Sequence, residues 1–234
     1  MTASAAGRTA TTEVWVDYSQ YYLTDADEDG QARGRLPAGP GGMLAVGPSL
    51  VVLYSGTHLG PVRVTVQVHQ AAPPLEQAAW EDVAEASFTA PDGQVMLEEW
   101  GGRVHQELPN LTPAGTGTYR LRLHVRGRDR GWEEDTPEIP VEEHLLAVWP
   151  AAPAVGVVHK LTSREGQAAA ARAAQAPELP ATPAKPAFQP PPAAAPPGPM
   201  VTTAFNMVDG APVPPEPPGR PDDQPPQQPP AAQR

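Results

Sequence analysis

The chain has 234 residues, a formal net charge of −11 at pH 7, 33 Pro and no Cys. The absence of Cys excludes a disulfide framework, a thiol nucleophile and a thiolate metal site. The acidity lies in residues 1–163, with 21 Asp/Glu against 11 Lys/Arg, which argues against general nucleic-acid binding because phosphate contacts need a net basic surface.

Residues 1–11 are small and polar and read as a disordered N-terminus without the apolar core of a signal peptide. Glu13 to Leu23, EVWVDYSQYYL, interleaves aromatic and β-branched residues at period two and predicts one strand with apolar groups on both faces. Thr24 to Gly42 carries four acids between Asp25 and Asp29 and a Gly/Pro run, a long polar loop. Met43–Val46 and Leu50–Tyr54 read as two short strands split by Gly47-Pro48. Val62, Val64, Val66 and Val68 alternate with polar residues, the pattern of a strand buried on one face. Trp80–Ala90 and Val95–Trp100 flank the turn signal Pro91-Asp92-Gly93 and predict a hairpin. Tyr119, Leu121, Leu123 and Val125 face inward in the next strand, with Arg120, Arg122, His124 and Arg126 outward. A charged loop precedes the apolar run His144–Trp149, and Val155–Val158 adds a short edge strand.

The expected fold class is all-β, an antiparallel, jelly-roll-like β-sandwich of about eight strands over residues 12–160. Ser163 to Ala176 predicts a short, exposed, marginal helix within residues 161–176, capped by Ser163 and rich in Ala. Residues 177–234 hold 20 Pro and read as a disordered Pro/Ala-rich tail interrupted by one apolar island, MVTTAFNMV at 200–208. No run approaches the ~18 apolar residues of a membrane span. The chain is expected to be cytoplasmic, with no membrane or nucleic-acid partner.

No catalytic or metal signature stands out, so neither a catalytic residue, a metal nor a cofactor is expected. The six His are not spaced for a helical metal site and have no Cys companion. Asp25, Asp27 and Asp29 mimic the start of a calcium loop, but Leu36 stands where its bidentate Glu is required. Adjacent carboxylates, as at Glu98-Glu99 and Glu142-Glu143, point to opposite faces of a strand and do not converge on one bond.

The row Arg120, Arg122, Arg126 is the most unusual feature. Alternate side chains on a strand face lie ~6.6–7 Å apart, so the guanidinium groups form a line. That line either pairs across strands with acids such as Glu85, Glu142 or Glu143, or offers an anion-binding face to a protein partner.

VDYSQYYL, EASFTAPDGQVMLEEWGG, GTYRLRLHVRGRD and EEHLLAVWPA together resemble a group of uncharacterised actinobacterial β-domain proteins. The order of these segments is also similar to the competence protein J family. The matching positions are Tyr18 to Gln20, Asp92-Gly93 and Gly117 to Tyr119, within residues 12–150. The resemblance implies a small β-sandwich, and the competence member inhibits a partner nuclease. No functional residue is carried over from it.

The function read from these features is a non-enzymatic protein-binding module, inhibitor-like or immunity-like. Its candidate partner-binding residues are Tyr18, Gln20, Tyr22, Arg120, Arg122 and Arg126. Two alternatives stand beside it. One is a carbohydrate-binding or hydrolytic β-sandwich using Trp80, Trp100, Trp132 and Trp149; the other is an adaptor that docks a partner through 200–208.

Overall fold

The computed structural model describes residues 7–25 and 36–175. The chain divides into a unit of residues 1–182 and a second of 183–234, and every described residue belongs to the first. The Pro/Ala-rich tail, the island 200–208, Asp27 and Asp29 therefore lie outside the described residues.

Alternation of apolar and polar side chains builds two sheets. The larger has six strands: β1 (Arg8–Val16), β5 (Gly60–Val68), β9 (Glu143–Pro150), β8 (Gly117–Arg126), β6 (Asp82–Ala90) and β10 (Val157–Leu161), in that spatial order. The smaller runs β3 (Leu44–Val46), β4 (Leu50–Tyr54), β2 (Gln20–Thr24) and β7 (Met96–Glu99). The four valines of β5 and Tyr119, Leu121, Leu123 and Val125 of β8 turn inward and are buried with Tyr21, Leu23, Val51, Leu53 and Leu97 of the smaller sheet in one core. Each such Val or Leu contributes ~1.5–3 kcal/mol by leaving water. Among the described residues no helix is long and apolar enough to cross a membrane.

The architecture departs from the expected one in four places. First, β5 and β9 pair in parallel, Val64 opposite His144, so the larger sheet is not wholly antiparallel. The two strands are far apart in sequence, and their pairing leaves no local signal.

Second, Glu13 to Leu23 is two strands in two sheets, and β1 begins at Arg8, paired with Val68, where disorder was expected. Val14 and Val16 face the core before the corner, and Tyr21 and Leu23 after it. The inward phase shifts by one residue because Tyr18 and Ser19 form a two-residue turn.

Third, Pro91-Asp92-Gly93 does not close a hairpin. It carries the chain from β6 into β7, which pairs with β2 in the other sheet. The Asp25 carboxylate accepts the backbone N–H groups of Asp92, Gly93 and Gln94 and fixes that crossing.

Fourth, the charged loop contains a two-turn helix, α1 (Arg128–Glu134). The predicted C-terminal helix is present as α2 (Arg164–Gln175). Its orphan amides are satisfied: Ser163 Oγ accepts from Gly166 N at 2.9 Å, and Asp129 accepts from Arg164 and Glu165.

Candidate interaction site

The outer face of β8 explains the arginine row and changes its meaning. Arg122 lies opposite Glu85 of β6. The Glu85 carboxylate accepts Arg122 Nε at 2.6 Å and Arg120 Nε at 3.0 Å. The remaining N–H groups of Arg120 reach Ser87 Oγ and the carbonyls of Ala154 and Val155, and those of Arg122 reach the carbonyls of Pro73 and Pro74. The Arg122 guanidinium also lies 5.1 Å from the Trp149 ring centre. Segments around 73–80 and 151–155 thus strap over this face.

Arg120 and Arg122 are each only 5% exposed, so they are not the surface residues expected. Strand alternation placed them outside the core correctly, but irregular loops cover the outside. Burial pushes Glu85 up, yet the hydrogen bonds from Arg122 and Arg120 outweigh it and hold its carboxyl below the usual range. Arg126 alone stays half-exposed, bonded to Glu143 at 2.5 Å and set 5.2 Å from the Trp80 ring. Trp80 also packs against His124, with ring centres 5.5 Å apart and planes tilted by 46°. Burial drives His124 down to about 4, and its Nε2 has no hydrogen-bond partner.

Tyr22 is likewise buried. It packs with Ala45, Leu50 and Val52 on the far side of the smaller sheet, because the corner shift assigns Tyr21, not Tyr22, to the shared core. Gln20 is half-buried opposite Tyr54. Of the sequence candidates, only Tyr18 projects fully, at 59% exposure.

Tyr18 and Ser19 are the centre of the corner. Their φ angles are 53° and 58°, and Gln20 N donates to Asp17 O at 3.2 Å. Positive φ at both central residues is what a type I′ turn requires, a turn dominated by Gly, Asn and Asp. A Tyr-Ser pair there stores strain of order 1–3 kcal/mol per residue. The surroundings hold it: Ser19 N donates to His58 O at 3.0 Å, and Ser55 N to Ser19 O at 2.9 Å.

The Tyr18 ring sits 5.0 Å from Trp100 and 6.0 Å, edge-on, from His58. Trp100 is 42% exposed, and Trp15, three residues before Tyr18, is 50% exposed. A polar scaffold braces the corner. Glu99 Oε1 accepts Trp15 N at 3.0 Å and meets His105 Nε2 at 3.0 Å, while His105 Nδ1 meets Glu107 at 2.6 Å. His105 is fully buried, so the loop carrying Trp100 is tied to β1 from beneath. Sequence reasoning missed the partnership of Trp15, His58 and Trp100 with Tyr18. The usable signal was an aromatic on each side of two loops, Trp15/Tyr18 and Trp100-Gly101-Gly102.

A second polar group lies inside the domain. Tyr21 donates its hydroxyl to His144 Nδ1 at 2.7 Å, and His144 Nε2 donates to Glu142 at 2.9 Å. Glu142 also accepts Gly56 N, Thr57 N and Thr57 Oγ1. Burial pushes the Glu142 carboxyl up, but His144 and then the Thr57 and Gly56 amides bring it below the usual range. Burial, then the Glu142 charge, raises Tyr21 well above a normal phenol. The order Tyr–His–Glu could relay a proton, but none of the three is exposed, so the group acts as a tie between β2, β9 and the loop after β4. Among the described residues no group of three or more His, Asp or Glu is arranged to hold a metal ion.

Fold and site together define a two-sheet β domain with a strained, braced aromatic corner. No family model and no curated protein matches the sequence. Among solved structures the chain is similar to "Crocagin biosynthetic gene J", at 16% identity and a TM-score of 0.40 over 63% of this chain and 99% of that one. It is also similar to ComJ, inhibitor of the DNA degrading activity of NucA, from Bacillus subtilis, at 10% identity and a TM-score of 0.40 over 63% of this chain and 100% of that one. Both likenesses are loose, and no residue or activity is transferred from them.

Proposed function

We propose that this chain is a non-catalytic, protein-binding β-sandwich whose contact surface is the Tyr18–Trp100 corner, flanked by Trp15 and His58. The observation that carries the reading is the exposed aromatic pair in which Tyr18, held on a strained turn, packs against Trp100 of the loop after β7. Tyr and Trp supply most of the energy at protein interfaces because they bury large area at low entropic cost. Strain that the surrounding structure over-determines clusters at functional sites. The titratable trio best suited to proton transfer, Tyr21, His144 and Glu142, is sealed from solvent, which favours binding over catalysis. Two of the four tryptophans considered for sugar stacking are committed elsewhere: Trp149 is buried, and Trp80 is covered by His124 and Arg126.

The test is capture from lysate by the full chain, by a Tyr18→Ala/Trp100→Ala double variant and by Arg126→Glu. The reading expects a partner retained by wild type and Arg126→Glu and lost by the double variant at an unchanged melting temperature. Identical capture by all three would end it. The finer reading, inhibition, is tested by titrating the chain into the purified partner. Stoichiometric loss of the partner's activity supports an inhibitor, and unchanged activity reduces the function to binding.

A further inference from the structure

The domain seats two of its own guanidinium groups in the same way. Arg122 lies 5.1 Å from the Trp149 ring centre and donates to Glu85; Arg126 lies 5.2 Å from the Trp80 ring centre and donates to Glu143. Each site sets an aromatic face and a carboxylate on one cation. The face attracts it through the ring quadrupole, and the carboxylate adds counter-charge and hydrogen bonds.

The Tyr18–Trp100 corner holds the first two parts without the third. Both rings leave surface open to solvent, with planes inclined at 52°. Asp17 directly precedes Tyr18 and bridges to Gln20 across the turn. Its carboxylate has neither a hydrogen bond nor an ion pair among the described residues. His58 stands edge-on to Tyr18, and Asp135, largely exposed, lies 3.7 Å from His58 Nδ1. The cation of the Trp100 loop, Arg103, is engaged by Glu99 at 3.5 Å.

We propose that the corner's partner is a protein with a basic contact patch, which lays an arginine on the open faces of Tyr18 and Trp100 with Asp17 as its counter-charge. This rests on the reading of the corner as the contact surface and adds the chemistry of what it meets. The charge of the domain points the same way. Residues 1–163 carry 21 Asp/Glu against 11 Lys/Arg, which attracts a basic protein and repels an acidic one. Arginine fits better than lysine, because its planar, weakly hydrated guanidinium stacks on a ring while its N–H fork reaches a carboxylate.

The experiment follows indole N–H resonances of the full chain, with the Trp100 signal identified by Trp100→Phe. The probe is the peptide acetyl-Gly-Arg-Gly-Arg-Gly-amide, set against its neutral isostere with citrulline in place of arginine. The arginine peptide is expected to move the Trp100 signal and to bind about two- to five-fold tighter than the citrulline peptide, the scale of an exposed cation–π contact. Asp17→Asn and Trp100→Leu should each remove that margin. Glu76→Gln, which takes the same charge from the exposed strap over β8, should keep it. Equal affinity of the two peptides, an unmoved Trp100 signal, a margin that survives either corner variant, or one lost equally in Glu76→Gln would overturn the proposal. The captured partner separates it from the reading beneath it. Capture lost by Tyr18→Ala/Trp100→Ala but kept in full by Asp17→Asn overturns the cation and leaves the corner a contact surface; capture kept by the double variant ends both.

Discussion

Glu85 and Glu143 each pair with arginines of β8, but the two pairings differ in consequence. Glu85 neutralises two guanidinium groups beneath the strap, whereas Glu143 meets Arg126 in partial solvent. Glu85→Gln leaves two buried cations without a counter-charge and should cost about 3–5 kcal/mol; Glu143→Gln should cost under ~1 kcal/mol. Urea melts of the two variants check the contrast. His124 provides a pH signature. Its folded pKa of about 4 lies below the ordinary 6.5, so the unfolded chain takes up the proton first. The stability this lends is complete above ~pH 6.5 and drains away as pH falls toward 4, by up to about 3 kcal/mol. Burial is the main cause; the Leu145 carbonyl and Glu85 oppose it, and Arg122 and His159 add to it. His124→Leu should flatten the profile in that window. Losses below pH ~4.5 should persist, because there the Glu side chains of the unfolded chain take up protons before Glu85 and Glu142, held low in the fold, can do so.

Among the elements, the corner between β1 and β2 couples fold to function most tightly. Replacing Tyr18 by Asn and Ser19 by Gly gives the turn residues its φ angles favour. The double variant should gain about 1–2 kcal/mol, roughly 2–8 °C in melting temperature, and lose its partner. Calorimetry and the capture assay together check both halves. The same corner marks where sequence reading stops. Residues 13–23 keep period two on both sides of Tyr18-Ser19, and neither residue signals a turn, so two strands looked like one. The alternation in β5 and β8 was legible because each strand buries one face against a common core. Loops over the other face were not, since PPLEQAAW carries no periodicity. Helix α1 was hidden by its length, seven residues, with Gly131 in its middle. Gly is required there: a Cβ would meet Thr57 Oγ1 and Glu142 within 2.7 Å.

For the molecule as a whole, the two sheets are joined by an apolar core and by polar ties, Trp15 N to Glu99 and the buried group Tyr21, His144 and Glu142. Tyr21→Phe removes a single buried hydrogen bond and leaves His144 Nδ1 unsatisfied, a cost of about 1–3 kcal/mol. Partner binding should be unaffected, because the tie is remote from solvent; chemical denaturation beside a binding isotherm separates the two. The mostly-β, two-sheet class was readable from strand alternation. The site was readable only as Tyr18, because Trp100 and His58 reach it from distant segments. The account turns on the corner, and one measurement bears on it most directly: the affinity of the captured partner for Trp100→Ala against wild type by calorimetry. A hot-spot loss of about 2 kcal/mol, near 30-fold in Kd, with an unchanged melting temperature is predicted. A change within about two-fold, well under 1 kcal/mol, would contradict it.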